Sequence, residues 1–285
     1  MTVSEAAAKN DLESLRKLLE ADGDPNEQET EEYWPPLLEA SYADHVEAAR
    51  LLLDAGADMY APHSGGETPL LMAAQQGSAR VFRLLVERGC LLDAARENAP
   101  WMLTQAAAQG RLEIVKWMLD QGVAVDVTEH SGCSALTYAA HGGHIETMEE
   151  LLRAGADPNH RDNDTESVLM WAADHPGNAA ALRVLISAGA DVNAMSDSGT
   201  TPLYWAVWSG KESDPEMLQV LLDAGADPNT PRVLSHAVYH GFTAGVAMLI
   251  ERGADTSIPD ANGETPLETA MSRGHRDIVK LLNKP

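Results

Sequence analysis

Phenylalanine occurs twice and cysteine twice in 285 residues, aromatic residues make up 5% of the chain, and basic residues are outnumbered 20 to 44 by acidic ones. Each shortage excludes something. Two cysteines do not build a disulfide framework. Cys90 follows a recurrent glycine where other stretches carry alanine, so it reads as a small buried residue. Cys133 falls in Ser131-Gly132-Cys133-Ser134, read as an exposed turn. Two free thiols in a reducing cytoplasm is the expectation. Apolar residues come in short runs such as Leu51-Leu52-Leu53, far below the roughly eighteen needed to cross a bilayer. With Glu5 near the start and no long apolar stretch behind it, no signal peptide is expected. A net charge of −24 makes nucleic acid and anionic membrane poor partners, because phosphate binding needs Lys and Arg. Acid crowds the front, at Glu20, Asp22, Asp24, Glu27, Glu29, Glu31 and Glu32. Such a cluster either solvates the chain or attracts a basic partner over long range.

What the chain does have is a period. Gly23, Gly56, Gly89, Gly122, Gly155, Gly189, Gly225 and Gly253 each close a leucine-rich stretch, at spacings of 33, 33, 33, 33, 34, 36 and 28 residues. A repeat near 33 residues predicts a stacked array in which every unit buries its apolar face on its neighbours. Residues 63–95 show one unit. Ser64-Gly65-Gly66-Glu67 is a turn cluster, and Thr68-Pro69-Leu70 supplies a helix cap and a proline suited to the first turn. A short helix through Ala73-Ala74 stops at Gly77. A second helix over 79–88 carries Val81, Phe82, Leu84, Leu85 and Val86 at helical spacing. Across units, Leu37, Leu70, Leu103, Leu136, Leu169, Leu203, Leu234 and Leu267 recur, each followed three residues later by an alanine from Ala40 to Ala270. Alanine at every such point predicts close helix contact.

The intact Thr-Pro-Leu at 68–70, 201–203 and 265–267, with Gly-Ala-Asp-Pro-Asn or Gly-Ala-Asp-Val-Asn at 155–159, 189–193 and 225–229, resembles the ankyrin-repeat family over the whole chain. The resemblance implies an all-α solenoid of stacked helix-turn-helix units joined by β-turn or hairpin fingers. It would form one domain over 1–285, with caps at 1–29 and 260–285 around units 30–62, 63–95, 96–128, 129–161, 162–195, 196–231 and 232–259. Thr2-Val3-Ser4-Glu5 reads as a capping box opening the first cap. The family's histidine after the recurrent leucine is replaced throughout, by Leu38, Leu71, Thr104, Thr137, Met170, Tyr204, Ser235 and Glu268. The turn bonds it supplies must be made differently here.

No phosphate loop, nucleophile elbow or zinc-type Cys pair is present. His236 and His240 could share a helix face, and His141 and His144 lie three apart, but neither pair has a third ligand in sequence. No metal or cofactor and no catalysis is expected. The resemblance implies protein binding through a concave groove lined by finger tips and exposed first-helix positions. Carried over, these are Trp34, Glu67, Cys133, Glu166 and Thr200 on fingers and Tyr42, Gln75, Ala108, His141, Asp174, Trp208, Tyr239 and Ser272 on helices, with Gln76, Gln109, His175 and His240 beside them. Tyr138, Trp171 and Trp205 precede the core alanine and suit a half-buried structural role, whereas Trp208 and Tyr239 lie further out, as binding anchors would. The period fails nearby. Lys211-Glu212-Ser213-Asp214-Pro215-Glu216 lengthens one unit, and the next finger, Asn229-Thr230-Pro231-Arg232, is short, which would widen the groove beside Trp208 and Tyr239. The expectation is a monomeric, cytoplasmic interaction protein for a basic protein partner. The alternatives are an inhibitor or immunity-type protein masking a toxin or enzyme and, of a different class, a metal-dependent or small-molecule enzyme in the His-rich groove.

Overall fold

The computed structural model describes residues 1–28, 33–90, 99–208, 214–260 and 262–283, all-α apart from two isolated bridges, Thr128 with Ser134 and Arg161 with Ser167. Glu29, Glu31 and Glu32 of the acidic front and Lys211, Glu212 and Ser213 of the longer unit lie outside the described residues. Two compact units are formed, Met1–Val127 and Thr128–Pro285.

The first unit holds four antiparallel pairs: α1 (Val3–Ala8) with α2 (Leu12–Glu20), α3 (Pro36–Tyr42) with α4 (Val46–Asp54), α5 (Pro69–Gln76) with α6 (Ala79–Glu87), and α7 (Ala99–Ala108) with α8 (Leu112–Asp120). The second holds five: α9 (Ala135–His141) with α10 (Ile145–Arg153), α11 (Val168–Asp174) with α12 (Ala179–Ser187), α13 (Pro202–Trp208) with α14 (Pro215–Asp223), α15 (Val233–His240) with α16 (Thr243–Glu251), and α17 (Pro266–Arg273) with α18 (Arg276–Leu282). Within each unit, first helices pack on first helices and second on second. Ala40, Ala73, Ala106, Ala139, Ala172, Ala237 and Ala270 are completely buried at the first-helix contact. Leu15, Leu52, Leu85, Leu151, Leu182, Leu221 and Leu249 are completely buried on second helices. Each such leucine stabilises the fold by roughly 1.5–3 kcal/mol relative to exposure.

Starts and stops follow local chemistry. Thr68, Ser134, Ser167 and Thr265 cap α5, α9, α11 and α17 by accepting from the amide three residues on, and α5 ends at Gly77 with a left-handed φ of 81°. Thr2 caps α1 in the same way. The Glu5 carboxylate also accepts from Lys9 Nζ at 2.6 Å, and the Ser4 amide donates to Glu27.

One glycine is out of register with the other seven. Gly56 takes the left-handed turn at φ 90°, and the Ala57 amide then donates back to Leu52 O at 2.9 Å. In the first repeat that bond comes from Gly23, to Leu18 O at 2.8 Å, while Asp22 takes the left-handed turn at φ 61°. Gly23 therefore matches Ala57, Asp22 matches Gly56, and the first interval is one residue longer than the glycine spacing implied. Aspartate tolerates that region better than most residues, which lets it stand in.

Successive repeats are stapled by polar side chains in two places. The residue heading a second helix reaches the end of the preceding first helix: His45 Nδ1 donates to Ala7 O, Ser78 Oγ to Tyr42 O, Arg111 Nε to Gln75 O, Asn178 Nδ2 to Ala140 O and His275 Nε2 to Tyr239 O. The asparagine of the Gly-Ala-Asp-x-Asn phrase grips the next loop from both sides. Asn193 Nδ2 donates to Gly225 O at 3.1 Å and its Oδ1 accepts from the Asp227 amide at 2.9 Å. Asn26, Asn159 and Asn229 do the same. These bonds satisfy helix-end and loop groups that would otherwise lack partners.

Candidate functional site

The expected site residues fall in both units. In the first, Trp34 lies edge-on to Tyr42 (5.5 Å between ring centres) and stacks on His63 at 5.4 Å, and His63 pairs with Glu67 at 2.8 Å. The Trp34 amide donates to Glu39, whose carboxyl burial pushes above its ordinary range. Trp34, Tyr42 and Glu67 thus form one connected patch, with Tyr42 exposed. Gln75 is half-buried and its carbonyl is engaged by Arg111, while Gln109 is exposed beyond the end of α7.

In the second unit, His141 stands edge-on to Trp171 (5.5 Å) and to His175 (5.7 Å), and donates from Nδ1 to Trp171 O. Asp174 closes α11, half-buried, and its charge helps raise the Glu166 carboxyl, after burial itself and the charges of Asp162 and Asp164. Trp208 and Tyr239 are exposed, and the ring of His236 lies between them, stacked on Trp208 at 4.5 Å and parallel to Tyr239 at 6.5 Å. His240 leans on both His236 and Tyr239. Burial, then the positive charges of His240 and Arg232, lowers the His236 pKa to about 4, so the ring is neutral near pH 7.

Two finger positions expected to face outward do not. Cys133 is fully buried and Thr200 is 7% exposed. The Cys133 thiol is 4.0 Å from Asp162 of the next finger, and burial raises its pKa. Thr200 Oγ1 is tied to Ser196 Oγ at 2.6 Å inside its own finger. Cys90 is buried as expected, with its thiol pushed up to about 11, and both cysteines are free.

Tyr138, Trp171 and Trp205 are half-buried, and the first two hold their own fingers: Tyr138 Oη donates to Glu129 at 3.4 Å and Trp171 Nε1 to Asp162 at 2.8 Å. The indole N–H of Trp205 is buried without an acceptor.

The short finger opens a hollow of about 470 Å³ lined by Pro228, Pro231, Leu234, Ile258 and Pro259 with Asp255 and Asp260. Arg232, Ser235 and Asp260 also line a smaller hollow of about 180 Å³ that His236 and Tyr239 complete. Arg232 organises this corner. It occupies the position heading α15 with a left-handed φ of 71° and no side-chain cap, where α1, α5, α9, α11 and α17 carry a capping Thr or Ser. Its guanidinium donates to Ser198 O at 2.9 Å and lies 5.3 Å from the centre of the Tyr204 ring. Arg273 covers Tyr239 at 3.4 Å. His236 was expected in the groove and Arg232 in the short finger, but the contacts that Arg232 and Arg273 make with tyrosine rings were not apparent from the repeat pattern. The available signal was an arginine where the pattern calls for a hydroxyl.

Among the described residues no three metal-binding side chains come together, and no helix is long and apolar enough to cross a membrane.

The family model for ankyrin repeats (three copies) matches residues 3–96, 103–196, 177–232 and 211–284. An ankyrin repeat protein of Rickettsia bellii is 35% identical over 78 residues, covering 25% of this chain and 31% of that protein. The potassium channel AKT1 of Oryza sativa subsp. indica is 38% identical over 76 residues, 25% of this chain and 8% of the channel. The photoreceptor ankyrin repeat protein of Homo sapiens is 37% identical over 84 residues, 26% of this chain and 19% of that protein. The matched segments thus span less than a third of each relative. Ankyrin repeats are generally protein–protein interaction modules. With repeat matches along nearly all its length and the helix pairs, caps and loop staples described above, the chain belongs to the ankyrin-repeat family.

Proposed function

We propose that this chain is a non-catalytic binding protein that engages a partner protein through the exposed positions of its first helices. The observation that carries this reading is the exposure of Trp208 and Tyr239, 47% and 44%, on neighbouring helices α13 and α15 in a chain so poor in aromatics. Large exposed aromatics beside a hollow are the side chains that dominate protein interfaces when they become buried. On the second unit, His141, Asp174, His175 and His240 are further proposed contact positions; on the first, Trp34, Tyr42, Glu67, Gln75 and Gln109 are proposed contact positions of that unit by itself. The partner presents a basic region to the acidic first unit, where Glu20, Asp22, Asp24 and Glu27 stand among the described residues. The free thiols support action in a reducing compartment such as the cytoplasm, and the chain works as a monomer.

The test is quantitative cross-linking in native lysate with purified wild type, Trp208→Ala, Tyr239→Ala and the double variant. A specific cross-linked protein should be lost in the double variant, with thermal unfolding changed by no more than about 1 kcal/mol of stacking. Its association should slow as salt rises. Undiminished cross-linking in the double variant would remove the aromatic surface from the reading.

A further inference from the structure

We infer that the corner formed by Trp34, Glu39 and Tyr42 on the first unit accepts the ammonium group of a lysine from the partner's basic region, an inference that deepens the basic-partner reading and rests on it. The first repeat shows what a carboxylate in this place takes. The turns after α1 and α3 match, with Asn10 and Asp44 left-handed at φ 52° and 54°, so Glu39 stands where the first repeat has Glu5 and Ala43 where it has Lys9. Lys9 donates to Glu5 at 2.6 Å and is the largest influence lowering the pKa of that carboxyl. Alanine cannot do this for Glu39. Ala43 is exposed, so the place that Lys9 fills beside Glu5 is open to solvent beside Glu39.

No other described residue replaces that lysine. Glu39 is half-buried and forms no ion pair among the described residues, where its hydrogen bond is to the Trp34 amide at 2.9 Å. Burial is the largest influence on its carboxyl and raises the pKa, while His45 acts on it only from beyond ion-pair distance, with Nδ1 committed to Ala7 O. A half-buried carboxylate without a counter-ion is destabilising, and a cation brought to it relieves that cost. Later repeats avoid the problem, with Met72, Gln105, Tyr138, Trp171 and Trp205 at this position.

The surroundings favour an ammonium in particular. Trp34 and Tyr42 meet edge-on with ring centres 5.5 Å apart, and Tyr42, one turn along α3 from Glu39, is 48% exposed. Aromatic faces attract cations. His63, stacked on Trp34, has both nitrogens committed, Nε2 to Glu67 and Nδ1 to the Gly65 amide. None of Trp34, Glu39, Tyr42, His63 and Glu67 bonds or stacks with a lysine or arginine among the described residues, so the corner has two carboxyl groups and no base of its own to match them. One Glu39 oxygen already holds the Trp34 amide, which leaves a guanidinium fork short of its second acceptor. A compact ammonium suits the oxygen that remains.

The experiment measures binding of the full chain to a fluorescein-labelled hexapeptide of alternating lysine and glycine by anisotropy at fixed ionic strength, beside the same peptide made with acetyl-lysine or with arginine. The lysine peptide should bind about tenfold tighter than the acetylated one and no more weakly than the arginine one. Glu39→Gln, which keeps an acceptor for the Trp34 amide, should weaken it about fivefold or more. So should Tyr42→Leu, and so should Ala43→Lys, which supplies within the chain the cation that Lys9 supplies to Glu5. Glu20→Gln makes an equal change of charge at an exposed residue of α2 and should alter binding less than about twofold. Equal binding of the acetylated peptide, tighter binding of the arginine peptide, or affinities of the Glu39→Gln and Ala43→Lys variants no lower than that of Glu20→Gln would overturn the inference. Should Glu39→Gln fail to fold, Tyr42→Leu and Ala43→Lys decide the matter by themselves. The basic-partner reading fails separately. A lysine peptide bound alike by all these variants removes the corner and leaves that reading, whereas salt-independent association of the cross-linked partner removes the reading itself.

Discussion

Trp205 offers a way to ask whether the finger contacts of the second unit are interchangeable modules. Tyr138, Trp171 and Trp205 occupy the same place on α9, α11 and α13, immediately before a core alanine. The first two donate to a carboxylate of their own finger, and Trp171 does so to Asp162 at 2.8 Å. One repeat later Asp162 is replaced by Ser196. The serine hydroxyl is occupied by Ser198 at 2.8 Å and Thr200 at 2.6 Å, so the Trp205 N–H is left buried and unpaired. Ser196→Asp should restore the missing acceptor. It should also keep the turn, because Asp162 Oδ1 accepts the Glu166 amide at 2.8 Å just as Ser196 Oγ accepts the Thr200 amide. A hydrogen bond to a charged group contributes roughly 1.5–3 kcal/mol, from which the lost hydroxyl contacts subtract about 1 kcal/mol. The expected net gain is about 1 kcal/mol, or roughly 2–4 °C in Tm for a body of this size. Urea unfolding should show a higher midpoint at unchanged slope. The decisive comparison is Ser196→Asp in a Trp205→Phe background, where the gain should vanish. Equal gains in both backgrounds, or destabilisation of the wild-type background, would refute the claim that the indole lacks its acceptor.

The loop staples make a second prediction. Asn193→Ala removes the bonds to Gly225 O and from the Asp227 amide, and should cost about 1–2 kcal/mol in urea unfolding, given roughly 0.5–1.5 kcal/mol per bond. No loss would mean that water replaces the staple without penalty. His236 makes a third. Its folded pKa of about 4 lies below the ordinary 6.5, so the unfolded chain binds the proton first as pH falls. The stability it supports is complete above pH 6.5, declines between about 6.5 and 4, and falls no further below that. His240, Arg232 and Asp260 are the charged groups around it. His236→Gln should flatten this part of the stability–pH curve, and an unaltered slope would show that the ring titrates normally.

The all-α repeat fold was legible because it rests on local chemistry repeated many times. Leucine and alanine recur at helical spacing, Thr or Ser heads most of the first helices, and a left-handed glycine follows most of the second. The glycine register still misled at the front, because Asp22 can adopt the turn that glycine adopts elsewhere. Exposure was legible at Trp208, Tyr239 and Tyr42, where it follows from position on a helix, and at Gln109 just beyond α7. It was not legible at Cys133 and Thr200. A finger residue is covered or exposed according to the adjacent finger, and Cys133 meets Asp162 from 29 residues away. Arg273 could not be placed either, since its site on Tyr239 joins side chains of two repeats.

The same separation explains why two tryptophans three residues apart carry different roles. Trp205 is half-buried beside the alanine contact of α13, so its surroundings are set by the repeat and its variants should read out in stability. Trp208 is one helical turn further on, where the repeat imposes no partner, and its ring is met by His236 from the next repeat. A position free of repeat constraints can hold an arginine, histidine or tryptophan without disturbing the stack. In this chain such residues gather where the finger is shortest, at Arg232. The irregular unit therefore differs from its neighbours in which residues it can leave uncommitted, while its buried contacts at Leu234, Ala237 and Leu249 repeat those at Leu203, Ala206 and Leu221 of the unit before it.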